Sequence, residues 1–315
     1  MEQETALWNW ILFGGNVPTL RAKTLLQQWH ASGLALRDIL GKLPAEAASL
    51  GLTAEEARSL QPPASLSALS ALRWDEPEYP TGLQRLPLKL KPALLFYQGE
   101  KQVLLHPIIY FPPAPIQEEE EETVREALSL VLGEALLPAA VQGSDQAALL
   151  LEEMEITEGE ALLFVRSGLD QREATTQELV LLEQHRLLLL SPLPAGTPLN
   201  PKWEPMLSQV EEAAATCSVS TAAAMPPAAI PGTPTLWITA ALPSPSMPAD
   251  VHIIQDAMEL ITWLLNHESS RPLMPEEDPE ADPEVLPPLS PEETLHILEH
   301  GGHIPDILRK KLSQK

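Results

Sequence analysis

The stretch from Lys91 to Gly143 decides the fold, and residues 103–132 at its centre read VLLHPIIYFPPAPIQEEEEETVREALSLVL. The apolar run before the prolines predicts a buried strand, and Thr123–Leu132 predicts a helix. In a doubly wound α/β domain, the turn after an early strand binds anions, because backbone N–H groups and the helix dipole point outward there. Such a turn needs glycine for close approach, yet residues 103–132 contain none, and proline donates no hydrogen bond. The sequence therefore predicts a phosphate-binding turn that no longer admits a phosphate.

The five glutamates Glu118–Glu122 fill this turn with negative charge. An acidic first turn stabilises a helix through its dipole, which explains their position. It does not explain five consecutive charges that repel one another. A sharper hypothesis is that the run faces the ligand crevice and excludes polyanions.

Composition bounds the function. The chain has 315 residues and a formal net charge of −24. Residues 1–110 are neutral, with ten Lys/Arg and ten Asp/Glu, so the whole acidic excess lies in residues 111–315. A nucleic-acid surface needs a positive field, and composition alone therefore disfavours DNA binding. The single cysteine, Cys217, excludes an internal disulfide framework and a cysteine-based zinc cluster.

The sequence also predicts a location. Its first residues carry two acids and no basic stretch, so we expect no secretory signal. No run approaches the ~20 apolar residues that a membrane span needs. The expectation is a soluble cytoplasmic protein.

Residues 5–60 predict a small helical unit. Leu20, Leu25, Leu26 and Trp29 share one helix face, and Thr53-Ala54-Glu55-Glu56 is a capping box. The glycine-containing turn at residues 14–18 is typical of a helix-hairpin-helix, in which turn N–H groups contact a DNA phosphate. Structural packing and phosphate contact both stay open for this turn. Residues 61–72 predict a linker or a bridging helix.

From Trp74 onward the chain predicts an α/β fold with a Rossmann-like, mostly parallel sheet covered by helices on both faces. The strand candidates are Ala93–Tyr97, Ile108–Phe111, Pro138–Val141, Ala161–Val165, Leu187–Leu190, Thr216–Ser220 and Thr235–Ala240. The further helix candidates are Asp145–Met154, Thr176–Gln184, Glu204–Ala214 and Ile254–Asn266.

The predicted domains are a helical unit of the sterile-alpha-motif or helix-hairpin-helix kind (1–70) and a Rossmann-like domain (71–268). An acidic proline-rich linker (269–289) and a helical tail (290–315) follow. His296 and His300 are four residues apart and share a helix face, with His303 nearby, but without other ligands we predict no metal site.

The order of landmarks resembles the DNA-processing protein A family, also called DprA or Smf. The most specific piece is Tyr79-Pro80, Leu83, Pro92, Leu95, Phe96 and Gly99, which resembles the family's entry into its Rossmann-like domain. Fainter matches in register are Gly143–Ala148, Val165–Asp170, Leu189–Asn200 and Ile253–Leu265. The resemblance implies a bacterial protein that binds single-stranded DNA and loads a RecA-type recombinase during natural transformation. It also leaves a homodimer open.

The departures from the family pattern fall on ligand-binding positions. The family's glycine- and arginine-containing turn is replaced by Pro112–Glu122, and its arginine-rich element facing DNA by Trp203–Val210. Its later serine- and glycine-rich loop is replaced by Ala222–Pro231. The resemblance therefore predicts the fold with a degenerate DNA pocket.

The remaining candidate ligand residues are Gly143, Asp145, Arg166, Gly168, Lys202 and Trp203. Each has a structural alternative. Asp145 suits a helix cap, and Trp203 suits core or interface packing. Arg166 and Arg125 suit surface ion pairs with the many glutamates, and Cys217 suits the core.

Nothing in the sequence predicts catalysis. Nucleophile-elbow and Walker motifs are absent, and we predict neither a cofactor nor enzymatic activity. Two functions stay open. The first is a recombination mediator that contacts DNA through the helical unit or the basic tail. The second is an acidic interaction module that no longer binds DNA.

Overall fold

A computed structural model describes the greater part of the first 267 residues. The described ranges are 2–33, 35–43, 45–62, 69–113, 118–143, 145–221, 233–239 and 250–267. The predicted linker and tail, the three tail histidines and the Ala222–Pro231 loop lie outside these ranges.

The N-terminal segment folds as short helices that share one buried side. These are α1 (Glu2–Asn9), a π-helical turn (Trp10–Gly14), α2 (Thr19–Ala31), α3 (Leu36–Gly41) and α4 (Ala54–Ser59). The capping box at Thr53 is confirmed, since the Glu56 N–H donates to its Oγ1 at 3.1 Å and the Thr53 N–H to the Glu56 carboxylate at 2.8 Å. The Gly15 N–H donates to the Trp10 carbonyl at 2.9 Å. That amide is used inside the turn, which favours the packing interpretation over phosphate contact.

The predicted α/β class is confirmed. The described strands are β1 (Ala71–Arg73), β2 (Leu94–Gly99), β3 (Ile109–Phe111), β4 (Ala139–Gln142), β5 (Ala161–Phe164), β6 (Leu187–Ser191), β7 (Cys217–Ser220), β8 (Thr235–Ile238) and β9 (Val251–Ile254). The helices among them are α5 (Thr81–Gln84), α6 (Glu118–Gly133), α7 (Asp145–Ile156), α8 (Thr176–Glu183), α9 (Glu204–Ala214) and α10 (Ala257–Asn266). No described helix is long and apolar enough to cross a membrane.

The strands form one sheet in the order β1-β2-β6-β5-β4-β3-β7-β8-β9. The strands from β6 to β9 in this order pair in parallel, whereas β1 and β2 join antiparallel at one edge. The chain steps outward from β3 to β6 and then returns to place β7 on the other side of β3. The strand order therefore reverses between β3 and β7, which is where open α/β sheets bind ligands.

Alternating strand residues pack into two hydrophobic cores on opposite faces of the sheet. Tyr110, Leu162 and Leu190 pack with the N-terminal helices and α9. Their neighbours Leu163 and Leu189 pack with α6, α7, α8 and α10 on the other face. Helices thus cover both faces, as predicted. The N-terminal helices share a core with the sheet, while the predicted domain boundary at residue 70 stays a prediction.

Three parts of the chain were predicted wrongly. Helix α6 begins at Glu118 and not at Thr123, because acidic residues suit a helix start. Strand β1 lies at the end of the predicted linker and is too short for a periodic pattern; it forms by pairing with β2. Strand β9 pairs with β8, so α10 begins only after Asp256, whose carboxylate accepts the Glu259 N–H at 2.8 Å.

The residues of the most specific family resemblance have structural roles. The buried Tyr79 hydroxyl donates to the Pro92 carbonyl at 2.6 Å and ties the turn before α5 to the start of β2. Gly99 has a φ of +109°, and a Cβ there would lie 2.2 Å from the Leu187 carbonyl oxygen. Only glycine meets both demands, so this motif reports the fold and not a ligand.

Candidate ligand cavity at the carboxyl edge of the sheet

A cavity of about 690 Å³ lies at the carboxyl ends of β4 and β5, between α7 and α8. We call it the carboxyl-edge cavity. Its polar lining consists of Gln142, Gly143, Arg166, Ser167, Arg172, Thr175, Thr176, Gln177 and Glu178. The structure thus brings the predicted residues Gly143 and Arg166 together. Asp145 is the first residue of α7, beside the same edge.

The Arg166 guanidinium forms its hydrogen bonds with side chains of α9. Its Nε and Nη2 donate to the two Glu211 carboxylate oxygens at 2.8 and 2.6 Å, and Nη2 also donates to the Ser208 hydroxyl at 2.9 Å. Glu211 is only 3% exposed and accepts a third hydrogen bond from the Tyr110 hydroxyl at 2.9 Å. Burial by itself would lower the pKa of Arg166, but its bonds to Glu211 raise that pKa above the usual value. Arg166 is therefore charged and already neutralised.

The predicted ion pairing of Arg166 is confirmed, but the prediction of a surface pair was wrong. Its side chain is 9% exposed and the Glu211 side chain 4%, so the pair lies in the interior. A bidentate pair between a guanidinium and a carboxylate is strong in such surroundings.

Arg172 repeats this arrangement on the other wall of the cavity. It donates to both oxygens of Glu178, which is 2% exposed. The same carboxylate accepts the Thr175 N–H at 2.8 Å, and Thr175 in turn caps α8. The sequence reasoning missed this pair, although Thr175 followed three residues later by Glu178 is a readable capping box.

The glycine amides near the cavity are also occupied. The Gly143 N–H donates to the Phe164 carbonyl at 3.2 Å, and the Gly168 N–H to the Thr197 carbonyl at 2.7 Å. A Cβ at Gly168 would lie 2.5 Å from the Pro194 carbonyl oxygen, so this glycine serves the packing of two loops. It does not line the cavity.

Asp170 and Gly196 complete the link between these loops. The Gly196 N–H donates to the Asp170 carboxylate at 2.8 and 2.9 Å, and this hydrogen bonding holds the pKa of Asp170 below its usual value. The matching segments of the family resemblance thus contact each other.

Lys202 and Trp203 lie apart from the cavity lining. They belong to a 3₁₀ turn, Pro201–Trp203, that leads into α9. Lys202 is exposed, Trp203 is half-buried, and the Asn200 side chain accepts the Lys202 N–H at 3.0 Å. Both stay predicted ligand residues.

The acidic start of α6 follows β3, at the position where the strand order reverses. Glu121 and Glu122 are exposed there. Arg125 donates to Glu121 at 3.3 Å, Glu152 at 3.0 Å and Glu153 at 3.1 Å, which confirms its predicted ion pairing. The one described cation on this part of α6 is therefore shared among three carboxylates.

Other chemistry finds little support in the described part of the chain. No group of three or more His, Cys, Asp or Glu side chains is placed to hold a metal ion there. Cys217 is fully buried in β7, as predicted, and burial raises the pKa of its thiol to about 12. A neutral buried thiol is a poor nucleophile.

These features define an open, Rossmann-like α/β protein whose arginines at the ligand-binding edge are neutralised by its own carboxylates. The fold is similar to that of DNA processing protein A (DprA) from Streptococcus pneumoniae, with a TM-score of 0.57 at 12% identity. That likeness covers 82% of this chain and 97% of the other, so the resemblance noted in the sequence is confirmed at the level of the fold.

A second similar structure is DNA processing protein A from Helicobacter pylori, described as having a unique single-stranded DNA binding mode. Its TM-score is 0.44 at 13% identity, over 62% of this chain and 95% of that one. No protein-family model and no curated protein sequence matches this chain.

Proposed function

We propose that this protein is a non-catalytic, DprA-like recombination mediator that binds single-stranded DNA weakly and has a degenerate DNA pocket. The observation that carries the proposal is the fold shared with the S. pneumoniae protein across 97% of that chain. The register of Tyr79–Gly99 with the family's motif supports it. Natural transformation and DNA recombination are the processes in which we expect it to act, in the bacterial cytoplasm.

The charges of the carboxyl-edge cavity limit how DNA is bound. Arg166 and Arg172 are each paired with a buried glutamate, so neither offers an uncompensated charge to a phosphate. Each of the five glutamates Glu118–Glu122 would repel a nearby phosphate by a few tenths to ~1 kcal/mol. DNA contact must then come from cations elsewhere on the chain.

The absence of catalysis is also a proposal. The described lining of the cavity contains no histidine or cysteine, and its carboxylate, Glu178, is bonded to Arg172. Within this described lining, therefore, no hydroxyl group has a free base beside it that could activate it as a nucleophile. By the family resemblance, the expected protein partners are a RecA-type recombinase and a second copy of this chain.

An acidic interaction module that no longer binds DNA is the second candidate. The paired arginines of the cavity favour it, since they give the fold internal stability and leave no attraction for phosphate. On this alternative, recognition passes to protein surfaces.

A salt titration of single-stranded DNA binding by the intact protein separates the two candidates. Anisotropy of a labelled oligothymidylate is measured from 20 to 500 mM NaCl, for the natural chain and for a variant with Glu118–Glu122 changed to glutamine. The matched control changes five acids at the opposite, amino edge of the sheet, which are Glu134, Glu155, Glu158, Glu160 and Glu183.

The mediator predicts binding at 20 mM NaCl that weakens steeply with salt. The Glu118–Glu122 variant should bind more tightly by roughly 1–3 kcal/mol, or about 5- to 150-fold, and the control by much less. No binding by the natural chain at 20 mM NaCl would refute the mediator and favour the interaction module. Equal gains in both variants would show that only net charge matters and that the crevice has no special part.

A further inference from the structure

A basic loop interrupts this acidic chain next to β2. No aspartate or glutamate occurs between Glu78 and Glu100, whereas Arg85, Lys89 and Lys91 all lie in that interval. Arg85 and Lys89 are exposed and Lys91 is half-buried. We call residues 85–91 the basic loop.

A buried lysine from α2 fixes the shape of the basic loop. The Lys23 ammonium donates to the carbonyls of Leu88, Lys89 and Lys91 at 3.3, 3.3 and 2.6 Å. The Leu90 and Lys91 N–H groups both donate to the Pro87 carbonyl, closing one helical turn. Burial lowers the pKa of Lys23 to about 8, so at pH 7 it is still mostly charged and adds to the positive field under the loop.

The carboxylates nearest in sequence are already engaged elsewhere. Asp75 and Glu76 pair with Arg73, and Glu78 pairs with Lys101 at 2.7 Å. Among the described residues, no carboxylate forms an ion pair with Lys89 or Lys91; the Lys91 ammonium donates to the neutral Gln84 side chain at 3.4 Å. These two lysines therefore differ from Arg166 and Arg172 in having uncompensated charge.

The loop borders a cleft of about 190 Å³ between the N-terminal helices and the sheet. Phe13, which is 44% exposed, lines this cleft together with Lys89, Pro192 and Met206. Lys202 is exposed in the 3₁₀ turn that leads into α9, four residues before Met206. The Phe13 ring packs at a tilt against Phe96, with ring centroids 6.2 Å apart, and leaves its other side accessible. Accessible lysines and a partly exposed aromatic ring are what sequence-independent single-strand binders combine.

We propose that the basic loop, with Lys202 and Phe13, is the surface on which this protein holds a single-stranded polynucleotide. Phosphates contact Lys89, Lys91 and Lys202, and a base stacks on Phe13. The proposal rests on the proposed mediator function and deepens it: DNA lies against the junction of the helices and the sheet.

The test compares the full chain with a variant carrying Lys89→Gln and Lys91→Gln, using the same labelled oligothymidylate. Each lost phosphate contact should reduce the slope of log affinity against log salt concentration by about 0.7. If the variant and the natural chain bind equally at 1 M NaCl, each lost contact then weakens binding about eightfold at 50 mM NaCl. The double variant should therefore bind about 60-fold more weakly at 50 mM NaCl. Phe13→Leu should weaken binding about tenfold at every salt concentration, with the slope unchanged, because stacking releases no counterions.

The matched control is Arg37→Gln with Arg58→Gln, which removes the same charge from exposed positions on α3 and α4. An equal loss in the control would overturn the proposed surface, and so would full binding by the lysine variant, while both leave the mediator function standing. No binding by the unsubstituted chain would overturn the mediator function and this surface with it. Thermal melts of each variant separate lost contacts from lost folding.

Discussion

Replacing Glu211 with alanine removes the carboxylate that three buried donors share. Arg166 contributes two of these hydrogen bonds, at 2.8 and 2.6 Å, and the Tyr110 hydroxyl contributes the third at 2.9 Å. The variant leaves a guanidinium and a hydroxyl buried, with only the Ser208 hydroxyl still accepting from the guanidinium. Breaking a buried pair in this way costs about 3–5 kcal/mol, and we expect about 4 kcal/mol here. That is a large fraction of a typical free energy of unfolding.

A double-mutant cycle isolates the pair from the rest of the site. Equilibrium urea unfolding followed by circular dichroism is measured for Glu211→Ala, Arg166→Met and the double variant. The double variant should lose less than the sum of the singles, with a coupling of about 2–3 kcal/mol, since it buries no unpaired charge. Gln209→Ala, at an exposed position of the same helix, is the control and should stay within about 0.5 kcal/mol of the natural chain.

Two results would refute this reasoning. A loss below about 1 kcal/mol for Glu211→Ala would mean that water reaches the guanidinium and that the pair is not an interior one. Additive losses in the cycle would mean that Arg166 and Glu211 stabilise the fold independently and that Glu211 does not neutralise the Arg166 charge.

Burial, reinforced by the charge of Glu211, raises the pKa of Glu212 to about 7, so the natural chain should lose stability as the pH rises from about 4.5 through 7. The Glu212→Gln variant should not show this loss. In urea unfolding it should be about 1 kcal/mol more stable than the natural chain at pH 8 and equally stable at pH 4. Gly99→Ala should lower the free energy of unfolding by more than 3 kcal/mol, because its Cβ would meet a backbone carbonyl of β6. Gly33→Ala, at a φ of +69° with nothing within 4 Å, should lower it by only about 1 kcal/mol. Similar losses of stability in the two variants would contradict the close approach at Gly99. Tyr79→Phe should lower stability by about 1–2 kcal/mol by leaving a buried carbonyl unbonded, and a change in DNA affinity at unchanged stability would show that the motif binds ligand after all.

Local patterns in the sequence are enough to predict most elements of the fold. The continuous apolar run Leu187–Leu190 becomes the interior strand β6, covered on both faces, and Thr53 with Glu56 caps α4 as the spacing predicts. Such features succeed because burial periodicity and capping act within a few residues of one another. Elements fail where only a distant partner supports them, as with β1, whose three residues gain their hydrogen bonds from β2.

The sequence also predicts that the turn after the first parallel strand, which carries five glutamates, does not bind phosphate. Five glutamates after a glycine-free turn predict a sheet edge that repels phosphate. The structure places the start of α6 after β3, where the strand order reverses. Strand order itself is not encoded locally, since β7 joins β3 from more than a hundred residues away.

The sequence by itself determined the α/β class, the resemblance carried by Tyr79–Gly99 and the concentration of negative charge in residues 111–315. Only the tertiary structure decided which charges remain available. It pairs Arg166 with Glu211, 45 positions away along the chain, and it leaves Lys89 without a carboxylate partner among the described residues. The physical reason is that the effect of a charge depends on its nearest opposite charge and on burial, and folding sets both through contacts between distant residues.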